Sequence, residues 1–209
     1  MEGICLRTPR LVLKPHTLDN AEKINAWDND PDMRYYSDDD PEDRPPDSIE
    51  DTRHRLECMS HVPADGHIIH YAIHRRDSQD LIGFGMIACV DPHHRRCKLG
   101  IVIGDRSQWG RGLGKEALTT VIEYCFSALG MNRIGAEVYA SNARSVRLFE
   151  GLGFRREGVI RQVVLKRGRF EDEYVYGLLA EEWRAGHMLV GTQGWGMSGI
   201  EHYVAERAG

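Results

Sequence analysis

No apolar run among the 209 residues approaches the ~18 that a bilayer span requires, and the opening MEGICLRTPR lacks the apolar stretch of a secretory signal. Cysteine is sparse. Cys5, Cys58, Cys89, Cys97 and Cys125 are odd in number and form no C-x-x-C pair. That argues against a disulfide framework and a zinc site, so no metal is expected, and a reducing cytoplasm fits best. A basic surplus is also missing: the net charge is -5. Without one, the phosphates of a nucleic acid have little to bind, and neither nucleic acid nor membrane is expected as a partner. No internal repeat is present. What remains is the composition of an ordinary globular chain, 41% hydrophobic and 28% charged.

Periodicity organises most of it into a mixed α/β pattern. LRTPRLVLKP reads as a first strand, with Leu11 and Leu13 on one face and Val12 on the other. TLDNAEKINAWDND reads as a helix capped by Thr17 or Asp19, and the acidic, proline-containing stretch after it as a loop. A second helix carries Ile49, Arg53 and Leu56. HIIHYAIHRR and DLIGFGMIACV read as paired strands joined at Asp77-Ser78-Gln79-Asp80, and CKLGIVIG as another strand. Leu113, Ala117, Val121 and Cys125 lie four apart, so an amphipathic helix is expected there, closed near Gly130. RIGAEVYA alternates as a strand, Asn142 is placed to cap a short helix, and VIRQVVLKRGRFEDEYVYGLL reads as a hairpin turning near Arg167-Gly168. The expected domain is residues 1–185, with 186–209 as a glycine-rich tail.

Between strand and helix lies SQWGRGLGKEAL, with Gly110, Gly112 and Gly114 at alternate positions. It is not a P-loop, because Trp109 stands where the first glycine belongs and Glu116 where the magnesium-binding hydroxyl belongs. Nor is it a Rossmann turn, because Lys115 replaces the third glycine. Bare amides at a helix start still suit an anion, and Arg111 and Lys115 add charge. The alternative is a tight turn packed against the sheet.

The run LGIVIGDRSQWGRGLGKEALTTVIEYCFSALGMNRIGAEVYASNARSVRLFEGLGF resembles the GNAT superfamily of N-acetyltransferases. Two separated motifs carry the resemblance: GRGLG, and NARSVRLFEGLGF from Asn142 to Phe154. It covers about residues 7 to 180. It implies an α/β fold with a mixed, mostly antiparallel sheet splayed around the acetyl-CoA site and flanked by helices. It also implies acetyl transfer from acetyl-CoA, the co-substrate, to a primary amine. Trp109, Gly110, Arg111, Gly112, Leu113, Gly114 and Lys115 would hold the pyrophosphate. Ile101, Val102 and Ile103 would pair with the pantetheine arm, and Asn142, Ser145 and Phe149 would line the thioester end.

Attack on the thioester needs a neutral amine, a donor for the oxyanion and a proton for the leaving thiolate; direct attack in a ternary complex suffices. The family commonly places a tyrosine seven residues after the asparagine, and here that residue is Phe149. Either CoA then leaves as the thiolate, or Ser145, Tyr139 or water supplies the proton. The alternative is a non-catalytic acyl-CoA-binding regulatory module. Glu137 is a candidate base, with a salt-bridged strand carboxylate as its other reading. His93 and His94 are further candidates, with a solvated HHRR turn as their other reading.

Within the superfamily the chain resembles the spermidine N-acetyltransferase branch and the branch that acetylates ribosomal-protein N-termini. The acidic stretch with Asp38, Asp39, Asp40, Glu42 and Asp43 would attract a polycation. Against this, Cys89 and Lys98 stand where the polyamine branch implies carboxylates. A polyamine-like amine leads as the acceptor, with a peptide α-amine or a small amine metabolite as alternatives, and the resemblance also suggests a homodimer.

Overall fold

Apolar residues recur at every second position through most extended segments, and each such segment turns that row toward helices. The computed structural model describes residues 4–36, 45–60 and 67–189. Its strands are β1 (Leu6–Arg7), β2 (Leu11–Lys14), β3 (Ile69–Arg75), β4 (Leu81–Asp91), β5 (Arg96–Val102), β6 (Arg133–Tyr139), β7 (Arg155–Lys166) and β8 (Arg169–Leu179). They form one sheet in the order β1-β2-β3-β4-β5-β6-β8-β7. All neighbours are antiparallel except β5 and β6. The expected mixed, mostly antiparallel α/β architecture is the one found.

One face carries the main core. Helix α4 (Leu113–Ser127) buries Leu113, Ala117, Leu118, Val121, Ile122, Cys125 and Phe126, the stripe that its period of four set out. Leu113, Leu118, Val121, Ile122 and Phe126 each contribute roughly 1.5–3 kcal/mol by leaving water. Helices α5 (Ala143–Glu150) and α6 (Ala180–Leu189) join the same core through Phe149 and Trp183. The opposite face is covered by α1 (Ala21–Asp28) and α3 (Ile49–Ser60), where Ala21, Ile24 and Leu56 meet Ala72 and Leu81 of β3 and β4.

The site is positioned by a fork. β5 and β6 pair only at Arg96↔Arg133, Cys97↔Ile134 and Lys98↔Gly135. Beyond that, β4 holds β5 as far as Phe84↔Val102, while β8 holds β6 as far as Tyr139↔Glu173. Leu99–Val102 and Ala136–Tyr139 therefore diverge, each anchored on its outer side only.

Several expected boundaries move. LRTPRLVLKP is two antiparallel strands, not one, with Leu6 opposite Leu13. Pro9 has no N–H for a ladder, and the Thr8 hydroxyl oxygen instead accepts the Leu11 N–H at 2.7 Å, closing a turn. The first helix opens with a 3₁₀ turn, Leu18–Asn20, and neither Thr17 nor Asn20 caps with its side chain; Asp19 lies inside that turn. The stretch expected as loop contains α2 (Pro31–Arg34), because Asp30 accepts the amides of Asp32 and Met33 and Pro31 fills the first helical position. The expected domain boundary after residue 185 falls inside α6, which Trp183 pins to α4 by donating to Glu123 at 2.8 Å. The acidic run from Asp38 to Asp43 and residues 190–209 lie outside the described residues.

Candidate active site

The glycine turn sits at the mouth of the fork, directly between β5 and α4. Gly110 and Gly112 have φ of +74° and +76°, a left-handed conformation that L side chains rarely adopt, and Gly112 is the N-cap of α4. Gly114 is helical. A Cβ there would meet only Ile103 at 3.6 Å and Leu148 at 3.7 Å, ordinary contacts, so the fold itself does not demand glycine at this position. Backbone thus dictates two of the three glycines, and close approach of something else would account for the third. Arg111 and Lys115 lie in the turn and the first turn of α4, and Arg144 in the first turn of α5; none of the three has a carboxylate partner among the described residues. Arg106, by contrast, is spent on Asp30 and Asp32.

Asn142 caps α5 as expected: its side-chain oxygen accepts the Ser145 N–H at 3.1 Å. The cap uses only the oxygen, and its amide NH₂ has no partner among the described residues. Trp109 turns inward and donates its indole N–H to the Ile103 carbonyl at 2.7 Å. The Arg144 guanidinium stacks on the same indole, 4.0 Å from its centroid. Of Ile101, Val102 and Ile103, the last therefore has its carbonyl already engaged.

The three candidate catalytic groups have different surroundings. Glu137 accepts from Lys98 at 2.6 Å, the salt-bridged strand carboxylate that its second reading describes, and this bond raises the Lys98 pKa. Tyr139 is buried, with the Lys166 ammonium 4.5 Å from its ring centroid. Ser145 lies on α5, four residues and so about one turn from Phe149. Phe149 is a core residue, edge-on to Phe154 at 5.1 Å and stacked on Tyr176 at 6.4 Å. His93 and His94 stand exposed at the start of β5, at the closed end of the fork and away from the glycine turn.

On the face opposite α4, the far half of the sheet is charged and open. Exposed Lys98 and Glu137 lie there by strand alternation. A cavity of about 480 Å³ is lined by Cys89, Asp91, Arg96, Lys98, Arg133 and Gly135 among others. Each of its cations is paired: Arg96 with Asp91, Lys98 with Glu137, Arg133 with Glu157. Further along, the Glu171 carboxylate accepts from the Tyr35 hydroxyl and from Ser141 Oγ at 2.5 Å. The Tyr35–Glu171 bond raises the Tyr35 pKa. Ser141 immediately precedes Asn142. Sequence reasoning missed this cluster, because Tyr35 and Glu171 are 136 residues apart and no local pattern links them.

Residues 10–155 match the family model described as Acetyltransferase (GNAT) domain. The chain is 35% identical over 175 residues to the uncharacterized N-acetyltransferase YoaA of Bacillus subtilis, covering 83% of this chain and 96% of that one. It is 30% identical over 133 residues to the ribosomal protein uS5-alanine N-acetyltransferase of Escherichia coli, covering 63% and 68% of the two chains. Spermidine N-acetyltransferase from Vibrio cholerae, solved with CoA and spermine, shares the fold with a TM-score of 0.74 at 20% identity, over 85% of this chain and 99% of that one.

Proposed function

The chain belongs to the GNAT acetyltransferase family and is an N-acetyltransferase that uses acetyl-CoA; from that premise we propose that its acceptor is an α-amine of the peptide type. The observation that carries the proposal is the charge pairing on the open face. A polyamine is held by carboxylates left free for its ammonium groups. Here Glu137 is engaged by Lys98, the cavity beside it holds three cations, and Glu171 is held by two hydroxyls. Such a lining suits an amine that has a carbonyl next to it, and it disfavours a bare polycation. The similarity to an enzyme named for a ribosomal-protein alanine points the same way.

The donor is assigned to the other face. The amides from Trp109 to Lys115, at the positive end of α4, receive the pyrophosphate with Arg111 and Lys115 beside them. The pantetheine arm runs along the divergent inner edge of β5, using the backbone of Ile101 and Val102, since the Ile103 carbonyl is held by Trp109. The free amide of Asn142 donates to the arm. Bound acetyl-CoA supplies the activated acyl group. The acceptor nitrogen forms its bond to the acyl carbon as the carbon–sulfur bond breaks. Glu137 takes the amine proton and CoA leaves as the thiolate, to which Ser145, on the same side of α5 as Phe149, donates a hydrogen bond.

Release of free CoA thiol is the test, with short free-N-terminal peptides, amino acids, spermidine and spermine as acceptors. Faster turnover of the peptides supports the reading. Preferential turnover of spermidine or spermine overturns the acceptor assignment.

A further inference from the structure

The turn between β1 and β2 reaches across the molecule to the first turn of α4. Glu116 is the fourth residue of that helix, and its side chain is only 7% exposed. Three donors from one short turn converge on it. Thr8 Oγ1 donates at 2.5 Å and the Arg10 backbone N–H at 3.0 Å, both to Oε1, while Arg10 Nε donates to Oε2 at 2.5 Å. Arg10 also donates from Nη1 to the Arg111 carbonyl at 3.1 Å, inside the glycine turn. A Cβ on Gly112 would stand 3.7 Å from Arg10 Nη2. One arginine therefore grips both the turn and the carboxylate behind it.

Electrostatics explains why such a grip matters. Glu116 carries its charge at the positive end of α4, the same end that the proposed function gives to the pyrophosphate. A nearly buried carboxylate there would repel phosphate unless it were neutralised. Arg10 neutralises it, and its second contact fixes the peptide carbonyl of Arg111, so that the neighbouring N–H groups keep their direction. We infer that Arg10, with Thr8, is a positioning residue for the CoA phosphates, acting through Glu116 and the Arg111 carbonyl without touching the reacting atoms. This rests on the assignment of the glycine turn to the pyrophosphate.

A charge-coupled cycle tests it on the full chain. Arg10→Met leaves Glu116 uncompensated, and the dissociation constant of CoA, measured by calorimetry, rises about tenfold, the loss expected for an unpaired, mostly buried charge. In steady state the KM for acetyl-CoA rises by a similar factor while kcat at saturating acetyl-CoA and the KM of the acceptor stay within about twofold. Adding Glu116→Gln to Arg10→Met removes the stranded charge and restores most of the affinity, and Arg10→Lys retains part of it. Thermal unfolding of each variant is followed alongside. Wild-type CoA affinity in Arg10→Met, a double variant no better than the single one, or an equal rise in both KM values would each overturn the inference. Gly112→Val separates its failure from that of the underlying reading: if this variant binds CoA normally, the turn is not the phosphate site and the inference falls with it. If Gly112→Val abolishes binding while Arg10→Met does not affect it, the reading stands and only the clasp is wrong.

Discussion

The two faces of the sheet around the fork solve different problems with similar residues. On the α4 face, cations at the glycine turn are left without carboxylates among the described residues: Arg111, Lys115 and Arg144 lie at or beside a turn of bare amides. On the open face, charges of both signs are matched: Lys98 with Glu137, Arg96 with Asp91, Arg133 with Glu157. An unpaired cluster waits for a ligand of opposite charge, whereas a paired one admits a ligand that brings both a donor and an acceptor of its own. The first face suits a polyphosphate and the second a neutral or zwitterionic amine compound. The contrast also explains how a chain with net charge -5 accommodates a polyanionic co-substrate.

Breaking the donor side has the largest expected consequence. Gly112→Val puts a β-branched residue at φ +76° and fills the N-cap of α4. CoA affinity falls at least about a hundredfold, by calorimetry, from the loss of several amide contacts together.

The next effect is on stability, in the layer of α1 and α3 that covers the near half of the acceptor-side face. His16 is buried and its Nδ1 has no hydrogen-bond partner among the described residues. Burial, then the neighbouring His70, His74 and Arg55 charges, lowers its pKa to about 4. Because the unfolded chain takes up a proton near pH 6.5 and the folded chain does not, stability is fully present above pH 6.5 and is lost as pH falls toward 4. The loss is of order 2 kcal/mol. Urea unfolding at pH 7 and pH 4.5 reads it, and His16→Phe reduces the dependence, the part that remains belonging to groups such as His70 and His74, whose pKa values burial also lowers. An unchanged slope in that variant would assign the acid sensitivity elsewhere.

A smaller change sharpens the acceptor side. Lys98→Met frees Glu137, and the rate with spermidine relative to a peptide rises several-fold, of the size expected for one partly exposed charge. Acetyl-CoA KM stays constant. The smallest effect is expected at Phe149→Tyr. The ring is held between Phe154 and Tyr176, so a hydroxyl adds a proton donor without moving the ring, and kcat is unchanged or rises by about twofold. A steep fall would mean that the phenyl edge packs where the sulfur lies.

What could be read from the residues alone follows from the range of the forces involved. Helix α4, its glycine turn and the Asn142 cap are local: period, caps and turn chemistry all act within a few residues, and all three stood where expected. The Arg167-Gly168 turn of the last hairpin was legible for the same reason, with φ of 49° and 71° at its two residues. Helix α2 was hidden because charge and proline mask a helix whose only local signal is the Asp30-Pro31 start. The Arg10–Glu116 clasp joins residues 106 apart and the Tyr35–Glu171 bond joins residues 136 apart, so no spacing rule could reveal either. Lys98 and Glu137 were both noticed in the sequence, but as separate questions. Only the parallel register Lys98↔Gly135 shows that each answers the other.

The most direct test is a competition in one vessel: acetyl-CoA with equal amounts of spermidine and a short peptide bearing a free N-terminal alanine. The product ratio, read by mass spectrometry at low conversion, is the ratio of the two kcat/KM values. The paired charges on the open face predict at least about tenfold more acetylated peptide, the factor that one misplaced charge commonly produces. An excess of acetylspermidine would contradict that account of the acceptor side.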